Sequence, residues 1–232
     1  MNTYTKLINK YKNNEKCYVI GAGPSLHKLI YHPLFPDIQN NVIIVVNSAI
    51  LAMKWEKGEQ DNRYFVSDDF IVTRWSYWRS VLSSKCNKVI RSSWEKHKDL
   101  IKNFDKFFIF EPRNTPENII DCNERGLAYA SSVLSAIDLA LQMGCKKIYL
   151  LGVDHYTDGW RSHFWQYWTY SKWPKGPLAP ITQQKESFNH NIQAFEALKS
   201  FADYLGAEIY NCSKDSKVEV YKKIEFKESL DG

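Results

Sequence analysis

The chain has 232 residues, 44% of them hydrophobic and 15% aromatic with eight Trp, a composition that excludes an extended disordered polymer and suits one domain, 1–232, with a buried core. Its formal charge of +5 is mild, and the basic residues are spread out apart from pairs such as Lys146-Lys147 and Lys222-Lys223, which argues against a nucleic-acid groove. No run approaches membrane-spanning length, the stretch MNTYTKLINKYKNNEK lacks the apolar core of a signal peptide, and the five cysteines form no CxxC pair or metal-ligand cluster; free thiols and a cytoplasmic location are expected.

In chain order, CYVI (17–20) is short, apolar and stopped by glycine, which predicts a strand. VIIVV (42–46) predicts a second, buried on both faces because its apolar run is unbroken. RYFVS (63–67), NKVIR (87–91) and KFFIF (106–110) predict three more. Between the last two, SSWEKHKDLIKNF opens with Ser92 three residues before Glu95, the spacing of a capping box at a helix start. Residues 131–143 predict a long buried helix ending at Gly144, and KKIYLLGVD follows as a sixth strand. Residues 183–205 predict another long helix, ended by Gly206 and followed by the strand AEIYN. This alternation implies an α/β fold: a single Rossmann-like, doubly wound, mostly parallel sheet with helices on both faces. One stretch, 159–180, is irregular and rich in aromatic residues, from Trp160 to Trp173; it is read as an aromatic lid-like insertion over 159–182.

In such sheets ligands bind beyond the carboxyl ends of the strands. There the sequence puts Gly21-Ala22-Gly23-Pro24-Ser25, where glycines allow close backbone approach and Pro24 suits a first helical turn whose free N–H groups attract phosphate. The motif lacks the third glycine of a dinucleotide fingerprint and the Lys-Ser/Thr pair of a Walker loop, so a simple tight turn is the alternative. Asn47-Ser48, Ser67-Asp68-Asp69 and Gly152-Val153-Asp154 end three other strands, and Ser131-Ser132 would cap the central helix toward the same edge. Asp68 and Asp69, with Asp154 and Asp158, suit Mg²⁺, a ribose hydroxyl or helix caps equally. His155, His163 and His190 follow the sixth strand, where a general base would serve.

The series CYVIGAGPSL, VIIVVNSAI, YFVSDDF, SSVLSAIDLALQMGCKKIYLLGVDHYTDG and the late helix leading to AEIYN resembles two related groups. One is the bacterial family 42 sialyltransferases, which use CMP-sialic acid. The other is the MptE-like group, also called domain of unknown function 115, which includes archaeal 6-hydroxymethylpterin pyrophosphokinases and flagellin-modifying motility-associated factors. The resemblance runs from Cys17 to Asn211, and its most specific pieces are the GxGPSL turn and the Ser-Ser helix leading into IYLLGVD. Similarity to the sialyltransferases implies a CMP-activated sugar donor, a glycan acceptor and no required cofactor. It implies that Gly21, Gly23, Pro24, Ser25 and Asn47 surround the cytidine phosphate and that Ser131 and Ser132 meet the nucleotide. Asp154 and Tyr156 would line the pocket, Tyr156 donating to the leaving phosphate, with His163 or His190 as base in the lid. The lid sequence itself departs from that family. The pyrophosphokinase alternative implies ATP and Mg²⁺ at Ser67-Asp68-Asp69. A non-catalytic nucleotide-binding module is a third alternative. The aromatic stretch also suits subunit contact in a homo-oligomer or peripheral contact with a membrane surface.

Overall fold

The computed structural model describes residues 3–12, 16–53, 55, 61–101, 104, 107–113, 126–128 and 131–231, with the side chains of residues 98, 100, 113, 185, 187, 189 and 190 outside that description. Its frame is an eight-stranded sheet in which every pairing is parallel. Along the chain come β1 (Lys16–Ile20), β2 (Val42–Val46), β3 (Arg63–Ser67), β4 (Asn87–Arg91) and β5 (Phe107–Phe110). A separate two-residue pair, β6 (Pro112–Arg113) and β7 (Leu127–Ala128), precedes β8 (Lys147–Leu151), β9 (Glu208–Asn211) and β10 (Lys222–Lys223). The helices are α1 (Leu26–Leu29), α2 (Trp78–Ser83), α3 (Lys98–Ile101), α4 (Ser132–Gln142), α5 (Ile181–His190), α6 (Ile192–Leu205) and α7 (Glu228–Asp231).

The spatial order is β10-β9-β8-β1-β2-β3-β4-β5. The chain builds outward from β1 to β5, then returns to the other side of β1 and builds outward again through β8, β9 and β10. Successive side chains of a strand point to opposite faces, and both faces here are covered. Cys17, Val19, Val42, Ile44 and Val46 pack into a core shared with α4 and α6. Tyr18, Ile20, Ile43 and Val45 pack into a second core with Leu26, Trp78, Phe164 and Trp165. This two-sided burial is why β2 is apolar at every position.

Two helix expectations are corrected. The stretch read as one helix over 183–205 is two, α5 and α6, parted at Asn191, which is 3% exposed. The helix expected after β4 is a 3-10 segment (Ser92–His97) followed by α3; the Ser92 hydroxyl donates to Glu111 Oε2 at 2.7 Å. Cys17, Cys86, Cys145 and Cys212 are free and buried, and Cys122 lies outside the described residues. Among the described residues no helix is long and apolar enough to cross a membrane.

Candidate active site

Strand order reverses between β1 and β8, so the segments leaving their carboxyl ends diverge and open a crevice. The cleft there has a volume of about 430 Å³. It is lined by Ala22, Gly23, Asn47, Ser131, Gly152 and Asp154 from the strand ends and α4, and by Tyr156, Ser162, His163, Pro177, Leu178, Ala179, Gln183 and Gln184 from the chain that follows β8.

The glycine turn is shaped by the protein around it. Gly21 N donates to Leu151 O and Gly23 N to Gly152 O, each at 2.8 Å, so the turn continues the β1–β8 pairing past the strands. A Cβ on Gly23 would strike the Asp154 carboxylate, and Gly152 (φ +65°) has no room for one, with Gly21 O 2.6 Å away. Ser25 donates twice to Asp154, from its amide to Oδ2 (2.7 Å) and its hydroxyl to Oδ1 (2.6 Å). Asp154 is 2% exposed; burial raises its pKa, and the Ser25 bonds oppose the rise. Ser213, just past β9, meets the Ser25 hydroxyl at 2.8 Å. The helix expected to open at Pro24 begins later: α1 starts at Leu26 and has four residues, and the Ser25 amide donates to Asp154.

The helix terminus that does open onto the cleft is that of α4. Ser131 is its N-cap, its hydroxyl accepting from Leu134 N at 3.4 Å. Ser131 and Val133 line the cleft, and the first amides of the eleven-residue helix have no intrahelical acceptor. Beside it Asn47, held at φ +49°, accepts at Oδ1 from Ser67 Oγ (2.9 Å) and Ser132 Oγ (3.4 Å), which leaves its amide group to donate. Ser132 in turn accepts from Asp68 N at 3.0 Å.

Asp68 and Asp69 have different hydrogen-bond partners. The Asp68 carboxylate accepts from Ser135 Oγ on α4 (2.8 and 3.0 Å), and burial pushes its pKa up to about 7. Asp69 lines the cleft and caps Ile71 N at 2.9 Å. Among the described residues no group of three or more His, Cys, Asp or Glu is arranged to hold a metal ion.

Two candidate bases are described. His163 lines the cleft, its Nδ1 2.8 Å from Ser162 Oγ, and burial pushes its pKa down to about 4. His155, at φ +49°, stacks on Phe188 (4.9 Å between centroids) and is likewise lowered to about 4 by burial. Both imidazoles are neutral near pH 7. His190 ends α5, and its side chain lies outside the described residues. The phenol of Tyr156 is raised to about 12, chiefly by burial and then by the charge of Asp154, so it remains a donor.

The aromatic segment is fixed to the crevice. Phe164 N donates to Ala22 O (3.0 Å), Trp165 Nε1 to Ser48 Oγ (3.1 Å) and Lys175 N to Ser76 Oγ (2.8 Å). Phe164 and Trp165 are core residues, 0% and 2% exposed. Sequence reasoning missed Ser162, Gln183, Gln184 and Trp75 at the cleft, and Ser213 behind Asp154. Only Ser213 carried a usable signal, since it follows a strand at its carboxyl end as Gly21 and Gly152 do.

No family model matches the chain, and no curated protein sequence matches it. Among solved structures it is similar to the MAf glycosyltransferase from Magnetospirillum magneticum AMB-1, at 12% identity with a TM-score of 0.55. The alignment covers 96% of this chain and 37% of that one, so this chain spans little more than a third of that protein's length. It is also similar to the sialyltransferase CstII from Campylobacter jejuni in complex with the substrate analogue CMP-3FNeuAc, at 13% identity and a TM-score of 0.47, over 90% of this chain and 86% of that one. A CstII complex with a trisaccharide acceptor and CMP gives 12% identity and 0.47 over the same shares. What the likeness to the MAf glycosyltransferase shows is the fold, a Rossmann-like α/β sheet.

Proposed function

We propose that the chain is a nucleotide-sugar-dependent glycosyltransferase of sialyltransferase-like type, using a CMP-activated sugar. One observation carries the proposal: the open N-terminus of α4, the Tyr156 phenol and the neutral His163 ring border the same cleft at the point where strand order reverses. The sequence resemblance from Cys17 to Asn211 and the MAf-like fold support it.

The chemistry is a displacement at the anomeric carbon. As the acceptor oxygen forms its bond to that carbon, the bond to the phosphate oxygen breaks and charge builds on the phosphate. The α4 amides and the Tyr156 hydroxyl meet that charge. No Lys or Arg is among the described residues lining the cleft, so dipoles and neutral donors carry this stabilisation. His163 takes the acceptor proton on Nε2, the nitrogen not turned to Ser162. Its depressed pKa makes it a weak base in the empty site, and the negative charge of a bound donor raises it toward neutrality. The aromatic segment excludes water that would hydrolyse the donor. This reading requires no metal, in keeping with the separate partners of Asp68 and Asp69.

The test is turnover of a CMP-activated sugar in EDTA, followed by CMP release. Tyr156→Phe is expected to lower kcat about 10²–10³-fold, and His163→Ala about 10²–10⁴-fold, both with CMP affinity retained. Turnover unchanged in both variants would overturn the assignment.

A further inference from the structure

The aromatic segment has a second, solvent-facing side. Trp160 and Tyr170 on it, with Tyr31 just beyond α1, are 54%, 80% and 66% exposed, in contrast to their buried neighbours Phe164 and Trp165. Between the segment and α1 runs a groove of about 400 Å³, lined by Tyr31, Tyr167, Trp168, Thr169 and Lys172. It shares no lining residue with the cleft.

The rings around this groove are held in order by one another. His27 stacks on Tyr167 at 4.5 Å and meets Tyr31 edge-on at 5.4 Å. The Arg161 guanidinium lies 4.8 Å from the ring centres of both Trp160 and Tyr167. Tyr167 donates to Asp158, which fixes its phenol. His27 Nδ1 and Arg161 Nε are buried without a hydrogen-bond partner among the described residues.

The chemistry of the lining selects among occupants. None of the exposed aliphatic side chains, Ile8, Ile71, Leu178 and Ile192, belongs to the groove, whose lining alternates aromatic rings with a hydroxyl and an ammonium and forms no contiguous aliphatic patch. Aromatic faces interleaved with hydroxyls and an ammonium suit a sugar ring. Its C–H face carries partial positive charge and packs on the negative face of an exposed ring such as Tyr31, while its hydroxyls reach Thr169 and the Tyr31 phenol. Lys28, Arg161 and Lys172 outnumber Asp158 around it, so the local field favours an anion.

We propose that this groove is a binding subsite for an anionic oligosaccharide; its role as the holder of the acceptor chain rests on the transferase reading above. The test is calorimetric titration of the full chain with hexagalacturonate, with neutral maltohexaose and with phosphatidylcholine/phosphatidylglycerol vesicles. Hexagalacturonate is expected to bind more tightly than maltohexaose, and Tyr31→Ala and Lys172→Glu each to weaken it at least about tenfold, that is about 1.4 kcal/mol. Both variants should keep the wild-type melting temperature and the wild-type response to CMP. No binding of hexagalacturonate by the wild type, or equal binding by Tyr31→Ala, overturns the proposal. Vesicle binding lost in the same variants overturns it in favour of a membrane face. A wild type that binds the saccharide but no nucleotide upholds the subsite and removes the transferase reading.

Discussion

Buried His163 and Asp68 give the chain opposite responses to pH. The folded-state pKa of His163, like that of His155, is lowered from 6.5 to about 4 by burial. Between those values the unfolded chain takes up protons that the folded chain refuses, so stability falls as pH drops from 6.5 toward 4. Asp68 is raised from 3.8 to about 7, again by burial. There the folded chain holds a proton that the unfolded chain releases, so stability falls as pH rises from 3.8 to 7 and then levels off. Asp68→Asn keeps an acceptor for Ser135 and removes the second effect. The melting temperature of this variant is expected to gain on the wild type's between pH 5 and pH 8; a difference that stays constant over that range would show that Asp68 is ionised in the fold. Residue identity alone gave no hint of this, because burial depends on α4 closing over the end of β3. Asp154 is similar. The sequence put it at the end of a strand beside the glycine turn, but not with both oxygens bonded to Ser25 and Ser213 behind.

At the scale of elements, the glycines of the crevice are fixed by packing as well as by backbone angle. Gly152→Ala meets both penalties, a left-handed φ and a contact with Gly21 O at 2.6 Å, and should cost about 2–5 kcal/mol. Gly206, at the end of α6, has φ +62° but nothing within 4 Å of its would-be Cβ, so Gly206→Ala should cost about 1–2 kcal/mol. Equal losses in denaturant titration would mean that the crevice does not pack as described. The main strands were legible because each buried strand is a continuous β-branched or aromatic run bounded by polar or glycine residues. The break between α5 and α6 was not. Asn189-His190-Asn191 contains neither Gly nor Pro, and the chain turns there so that Phe188 and Asn191 both border the cleft. The two-residue strands β6, β7 and β10 are too short to carry a period. The contribution of Pro177 and Ala179 depends on where an irregular segment folds back, which no local pattern encodes.

For the whole molecule, topology decides where a ligand goes. Because β8 returns beside β1, the glycine turn, the β8 exit and the N-terminus of α4 share one edge, and the aromatic segment is bonded across it at Ala22, Ser48 and Ser76. The strand-end rule found this edge in the sequence, and the assignment of a nucleotide to it is the claim on which the proposed function stands. It is tested most directly by the melting temperature in CMP, CDP, UDP, GDP and ATP, each with EDTA and with Mg²⁺, since a ligand bound only by the folded state raises it by mass action. The account predicts a rise with CMP in EDTA of the size set by about 2.7 kcal/mol at a hundredfold excess over Kd, lost in Asn47→Ala. A rise with ATP only in the presence of Mg²⁺, or none with any nucleotide, would contradict it.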